Sequence, residues 1–277
     1  MSQVIALDIG GTNIRVALIN DKYQIVKVNR ATTTVGDKKL FLSQVHHSIV
    51  DLDVEINAVK AIGIGVPGRV RPDGNIDTLP NIKIQSIPLA DYLKDRLSRP
   101  IYVRNDAEMA AIAEANLGVG KGKRSTFFVT ISTGLGGALV RDGSLAYSSD
   151  EIGHTLVFYK GKYHELEQLA SGSGIVRLCA LNGIEIGRPQ DFFARITQGD
   201  TTIAPVYEDW LTIIADFFKM VQRLFEPDVI ALTGGVTKSQ HVFFDRLQRM
   251  VPEAKLKMAA FGEDAGLIGA ATYAFNK

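Results

Sequence analysis

The sequence predicts an α/β protein made by duplicating one βββαβ-like unit. Three observations carry that expectation. Val4–Asn20 reads as an apolar strand, a glycine-rich turn and a second apolar strand. Phe127–Gly143 repeats the same device roughly half a chain later. Around these hairpins, buried-looking strands alternate with stretches of helical spacing.

In the first hairpin, Asp8 closes the strand, Gly10-Gly11-Thr12 make the turn and Ile14–Ile19 the second strand. Because a strand follows, neither a dinucleotide fingerprint nor a Walker loop fits, since both run from strand into helix. The glycines let backbone N–H groups approach an anion, and Thr12 adds a hydroxyl. Asp8 stands where a carboxylate can hold a phosphate-bound Mg2+, directly or through water. A third strand is expected near Gln24–Val28. Leu42, Val45 and Ile49 mark a helix within Lys38 to Val50. Ala61–Val66 reads as a buried strand closed by Pro67-Gly68, a strand-to-loop exit of the kind where ligands sit in α/β sheets. Residues 69–100 read as loop with one short helix near Leu89–Leu97.

Strand Ile101–Val103 runs through Arg104-Asn105-Asp106 into a strong helix, Ala107 to Leu117. Asn105 and Asp106 fit two readings, caps of that helix or substrate-positioning and proton-accepting groups. The second hairpin carries the turn Ser132-Thr133-Gly134-Leu135-Gly136-Gly137. Two such turns could clasp a nucleotide's phosphates from both sides. Glu151, Gly153, His154 and Glu167 follow, with Ala170–Gly174 a small-residue stretch. A core-facing helix is expected over Pro205–Phe225, a strand over Asp228–Leu232, the turn Gly234-Gly235, and helices at Gln240–Met250 and around 264–271.

Composition narrows the class. The chain has 277 residues, 46% apolar and 22% charged, with a net charge of +1, which favours neither nucleic acid nor a membrane surface as partner. One cysteine, Cys179, allows no internal disulfide and no multi-thiolate zinc site. No basic leader or transmembrane-length apolar run stands out, so a cytoplasmic location is the expectation.

Taken together, ALDIGGTNIRVAL, GIGVPG, RNDAEMAA, ISTGLGGALV, EIGHTLV, ELEQLASGSGI, ALTGGV and DAGLIGAA resemble the ROK family (repressors, open reading frames and sugar kinases), in family order over almost the whole chain. The resemblance implies a ribonuclease-H-like, actin/hexokinase-type fold with two domains around a cleft, expected at 1–106 plus 263–277 and at 107–262. It implies ATP and Mg2+ as cofactors, a small sugar as substrate, and allows a homodimer. Asp8 with Gly10, Gly11, Thr12 and Asn13 matches the first phosphate motif, Thr133, Gly134 and Gly136 the second, and Gly234-Gly235 the adenosine motif. Asp106 matches the catalytic base. Asn105, Glu151, His154 and Glu167 match sugar-hydroxyl ligands, with Gly68 beside them.

Two departures stand out. Most members carry a cysteine-rich zinc motif between the Gly-His pair and the later Leu-Glu, with that His as fourth ligand. Here the interval Thr155–Glu165 has no cysteine, so zinc in that form is not expected, and something else must orient His154. Tyr163, His164 or a backbone carbonyl are the candidates. Glu108 stands where many members have Asn, as a first-turn helix acid or as a tuner of substrate choice. The implied function is an ATP-dependent kinase for a hexose or N-acetylhexosamine, glucose or N-acetylmannosamine foremost, at the 6-hydroxyl. The alternative is a non-catalytic sensor or regulator of the same family.

Overall fold

A computed structural model describes residues 2–149 and 152–277, with the side chains of 147–149 left aside. The chain divides into two compact units, 1–117 with 263–277, and 118–262.

In the first unit, β1 (Gln3–Ile9), β2 (Asn13–Asn20) and β3 (Ile25–Thr32) form an antiparallel meander, followed by α1 (Lys38–Val50). Next come β4 (Ile62–Val66), a small sheet of β5 (Arg69–Val70), β6 (Ile76–Leu79) and β7 (Ile84–Ile87), then α2 (Leu89–Lys94), β8 (Ile101–Asn105) and α3 (Asp106–Asn116). The main sheet runs β3-β2-β1-β4-β8, with β4 and β8 parallel to β1. Val4–Leu7 and Ile9 are buried, as a central strand covered on both faces requires. The loop expected over 69–100 is corrected by the three-stranded sheet, whose strands are too short to show a period.

The second unit repeats the order. β9 (Ser125–Ile131), β10 (Leu135–Arg141) and β11 (Ser144–Ser149) form its meander. After a short turn at Ile152–His154 come the hairpin β12 (Leu156–Tyr159) and β13 (Lys162–Glu165), then α4 (Glu167–Ala170), α5 (Gly172–Leu181), α6 (Pro189–Thr197) and α7 (Ala204–Phe225). β14 (Val229–Thr233), α8 (Gln240–Met250) and β15 (Leu256–Met258) complete it, giving the sheet β11-β10-β9-β14-β15. Three antiparallel strands followed by two parallel ones in both sheets is the duplication expected from the hairpins. The core expected on α7 is present: Trp210, Phe218 and Val221 are fully buried, with Trp210 against Phe193 and Phe243.

The helix Ala265–Phe275 (α9) returns to the first unit and packs on β1, β4 and α3. Small residues make this possible. A Cβ at Gly269 would run into the Met109 carbonyl of α3, and one at Gly63 into Ala270 of α9. Because α3 packs against α9, the division falls after Leu117 rather than after Asp106. Among the described residues no helix is long and apolar enough to cross a membrane.

Candidate active site

In the first unit the hairpin register sets Asp8 directly opposite Arg15. Arg15 Nη1 lies 4.0 Å from Asp8 Oδ2 and donates to the Glu263 carbonyl at 2.6 Å, while Nη2 donates to Asp264 Oδ1. This arginine therefore joins the first phosphate turn to the N-terminus of α9. A Cβ at Gly266 would stand 2.7 Å from the Asp8 carboxylate, so glycine is what allows α9 this close. Burial raises the Asp8 carboxyl above its ordinary value, the Arg15 guanidinium opposes that, and Asp264 adds to it. In the turn, Gly10 N–H donates to the Asn13 carbonyl at 2.8 Å, and Thr12 and Asn13 are exposed. Asn13 is the first residue of β2, one residue before the strand expected from Ile14.

Asn105 ends β8 and caps α3. Its Oδ1 accepts from Ala107 N at 2.8 Å and Glu108 N at 3.4 Å, and its Nδ2 donates to the Gly68 carbonyl at 3.2 Å. Helix capping, one of its two readings, is thus realised, and the same side chain also fixes the loop after β4. Asp106 opens the helix, with Oδ1 accepting from Ala107 N at 2.8 Å. Glu108 lies in the first turn, as the helix-acid reading expects, but is buried rather than solvated.

In the second unit the phosphate turn is shorter than expected, Ser132–Gly134, because Gly136 and Gly137 belong to β10. Glu167 Oε2 accepts from Leu135 N at 3.2 Å, and a Cβ at Gly134 would come within 2.8 Å of that oxygen. Ser132 Oγ accepts from Gly235 N at 3.2 Å, and Ser173 Oγ donates to the Thr133 carbonyl at 2.5 Å. These two contacts bring the turn, the start of α5 and the Gly234-Gly235 turn together. Gly234 has φ +107°, a conformation for which glycine is suited, and its Cα approaches the Ile131 backbone. Between them lies a cavity of about 370 Å³, with hydroxyls from Ser132, Thr133 and Ser173 and apolar walls from Val176, Pro189 and Val236. Another cavity, about 380 Å³, lies between β12 and α7 and is lined by no Gly-rich turn residue and no acid singled out from the sequence.

One neighbour of His154, Glu165, lies outside the three candidates. His154 Nδ1 lies 3.1 Å from Glu165 Oε1, while the Tyr163 ring pairs with Phe158 and His164 is buried against Tyr159. One atom each from His154, Glu165 and Glu167 lie within 4.8 Å of one another, a donor set that could also hold a divalent cation. Glu151 lies outside the described residues. Sequence reasoning gave no role to Arg15 or Glu165, and singled out the stretches holding Ser132 and Ser173 without assigning those hydroxyls. Arg15 was within reach, since a two-stranded register pairs it with Asp8; Glu165 depends on a hairpin that the sequence does not announce.

Comparison with known proteins agrees with this organisation. A family model described as "ROK family" matches residues 4–277. A glucokinase of Halalkalibacterium halodurans is 28% identical, over 96% of this chain and 92% of its own. An N-acetylgalactosamine kinase of a Shewanella species is 26% identical, over 96% and 94%. A ROK family glucokinase from Streptomyces griseus, solved in complex with glucose and AMPPNP, superposes with a TM-score of 0.78 at 25% identity, over the full length of both chains.

Proposed function

The chain belongs to the ROK family, and on that premise we propose that it is an ATP-dependent sugar kinase that phosphorylates a hexose or an N-acetylhexosamine at its 6-hydroxyl. Glucose and N-acetylmannosamine are the foremost substrates. Relatives described as a glucokinase and an N-acetylgalactosamine kinase support the sugar class.

ATP supplies the phosphoryl group, and Mg2+ offsets the charge on its phosphates. The residues present fit both. Asp8 offers hard oxygen donors, and a cation beside it would relieve the penalty that burial places on its ionised form. The cavity of the second unit combines hydroxyls with apolar walls, as a nucleoside requires. Asp8 and the Gly10–Thr12 turn are assigned to phosphate and metal, Thr133, Gly134 and Gly136 to phosphate, and Gly234-Gly235 to adenosine.

A sugar hydroxyl is a poor nucleophile, and Asp106 takes its proton as the oxygen gains the phosphoryl group. Asn105, Glu151, His154 and Glu167 bind the remaining hydroxyls, with Gly68 held by Asn105. The observation that supports this reading most is the placement of Asp106 at the first residue of α3. There its backbone is fixed by the cap while its neighbour Asn105 ties down the Gly68 loop.

The test is ADP release with Mg-ATP across glucose, N-acetylmannosamine, N-acetylglucosamine, N-acetylgalactosamine, mannose, fructose and allose, beside a control without sugar. One sugar with a kcat/KM far above the others supports the proposal and names the substrate. ATP binding with no sugar-dependent ADP release overturns it in favour of a sensor. In the same assay Asp106→Asn lowers kcat by at least about 10²-fold with ATP binding retained; near-normal turnover removes Asp106 as base.

A further inference from the structure

A buried hydroxyl outside the glycine-rich motifs supports the first phosphate turn. Thr33 directly follows β3, the last strand of the first meander, and is buried. Its N–H donates to the Thr12 carbonyl at 2.8 Å, and its Oγ1 donates to the Gly10 carbonyl at 2.8 Å. One residue thus takes the carbonyls on both sides of Gly11. The chain around Thr33 is fixed in turn from α1. Gln44 Oε1 accepts from Thr34 N–H at 2.8 Å, and its Nε2 donates to the Thr32 carbonyl at 2.6 Å.

With those carbonyls held, the turn is left with its N–H groups. Among the described residues no peptide bond is cis, and a trans peptide sets its N–H opposite its C=O. Because the Gly10 carbonyl is turned to Thr33, the Gly11 N–H faces the other way. Among the described residues neither the Gly11 nor the Thr12 N–H has an acceptor. Gly11 is half-buried and Thr12 exposed, so an incoming anion can reach both. A carbonyl swung into the turn would instead set its negative end against a phosphate.

We infer that Thr33 is a positioning residue for nucleotide binding, whose hydroxyl holds the Gly10–Thr12 turn with its N–H groups towards the phosphates. The inference rests on that turn binding phosphate, as proposed above. Thr33 itself touches only the backbone behind the turn, so its effect falls on affinity for phosphates and not on the adenosine end of the nucleotide.

Calorimetry on the full chain tests this. Thr33→Val keeps the N–H contact and nearly the same shape but loses the hydroxyl. It should weaken Mg-ATP binding about 10-fold and leave adenosine binding unchanged. Thr33→Ser keeps the hydroxyl and should bind Mg-ATP close to the wild type. Thr33→Ala loses the hydroxyl without setting a methyl group against the Gly10 carbonyl; it should match Thr33→Val and replaces it if that variant does not fold. In the wild type labelled with nitrogen-15 glycine, saturating Mg-ATP should shift the Gly11 amide signal and adenosine should not.

Unchanged Mg-ATP affinity in Thr33→Val or Thr33→Ala overturns the inference; if the Gly11 amide still responds to Mg-ATP, the phosphate assignment of the turn stands. Equal losses of ATP and adenosine affinity also overturn it, because the effect is then not on the phosphates. So does a loss in Thr33→Ser as large as in Thr33→Val, which assigns the effect to shape and not to the hydroxyl. A Gly11 amide that saturating Mg-ATP leaves in place removes the turn from the phosphate site and overturns both readings, with no variant needed.

Discussion

Asn105 uses the two ends of one carboxamide differently, its oxygen on the first turn of α3 and its nitrogen on the Gly68 carbonyl. Substitution can separate them. Asn105→Asp keeps a good cap but loses the donor, so the sugar KM should rise with thermal stability nearly unchanged. Asn105→Ala loses the cap as well and should cost about 1 kcal/mol, read from denaturant unfolding. Asp8 makes a pH prediction. Burial raises its carboxyl, so between its ordinary value and the raised one the folded chain holds a proton that the unfolded chain has released. Stability from this group is therefore full below that window and falls as pH rises through it. Asp8→Asn removes this dependence, and its Tm should gain on the wild type as pH rises from about 4 towards neutrality. A difference that stays constant with pH would refute the assignment of the shift to Asp8. Cys179 is fully buried, and burial pushes its thiol up to about 11, so it should resist alkylation until the second unit unfolds.

At the scale of elements, the approach of α9 to α3 depends on Gly269, whose missing Cβ leaves room for the Met109 carbonyl. Gly269→Ala should force the two helices apart and cost about 1–3 kcal/mol, seen as a lower denaturant midpoint. Elements with long, periodic apolar patterns were legible in the sequence; α8 occupies Gln240–Met250 as read, and α1 Lys38–Val50. Those that owe their form to partners were not. The start of α5, Gly172-Ser173-Gly174, looks like loop because its residues are small, yet they must be small to meet Ser132 and Glu167. β5, β6 and β7 are two to four residues long and broken by turns, too short for a period of two to show. The candidate site follows the same division. Asp8 with the first glycine turn, and Asn105 with Asp106, each lie in one short stretch and are singled out as candidates from sequence, whereas the contact of His154 with Glu165 is fixed by hairpin register.

At the scale of the molecule, each unit has its own hydrophobic core. Trp210, the chain's one tryptophan, belongs to the second, fully buried, with Nε1 donating to the Ala170 carbonyl at 3.1 Å. Its fluorescence should therefore report the second core alone, whereas far-UV circular dichroism reports both. Gly269→Ala should move the dichroism transition and leave the tryptophan transition in place; an equal shift in both would show the two cores unfolding as one. The return of α9 also has a consequence for biosynthesis. β1 and β4 are covered by a helix that begins only at Ala265, so the first unit cannot close when residue 117 leaves the ribosome. At translation rates of about 5–20 residues per second, the first meander waits on the order of ten seconds with one face uncovered. The second unit, whose sequence is continuous, can fold in that interval, so the order of folding on the ribosome reverses the order of synthesis.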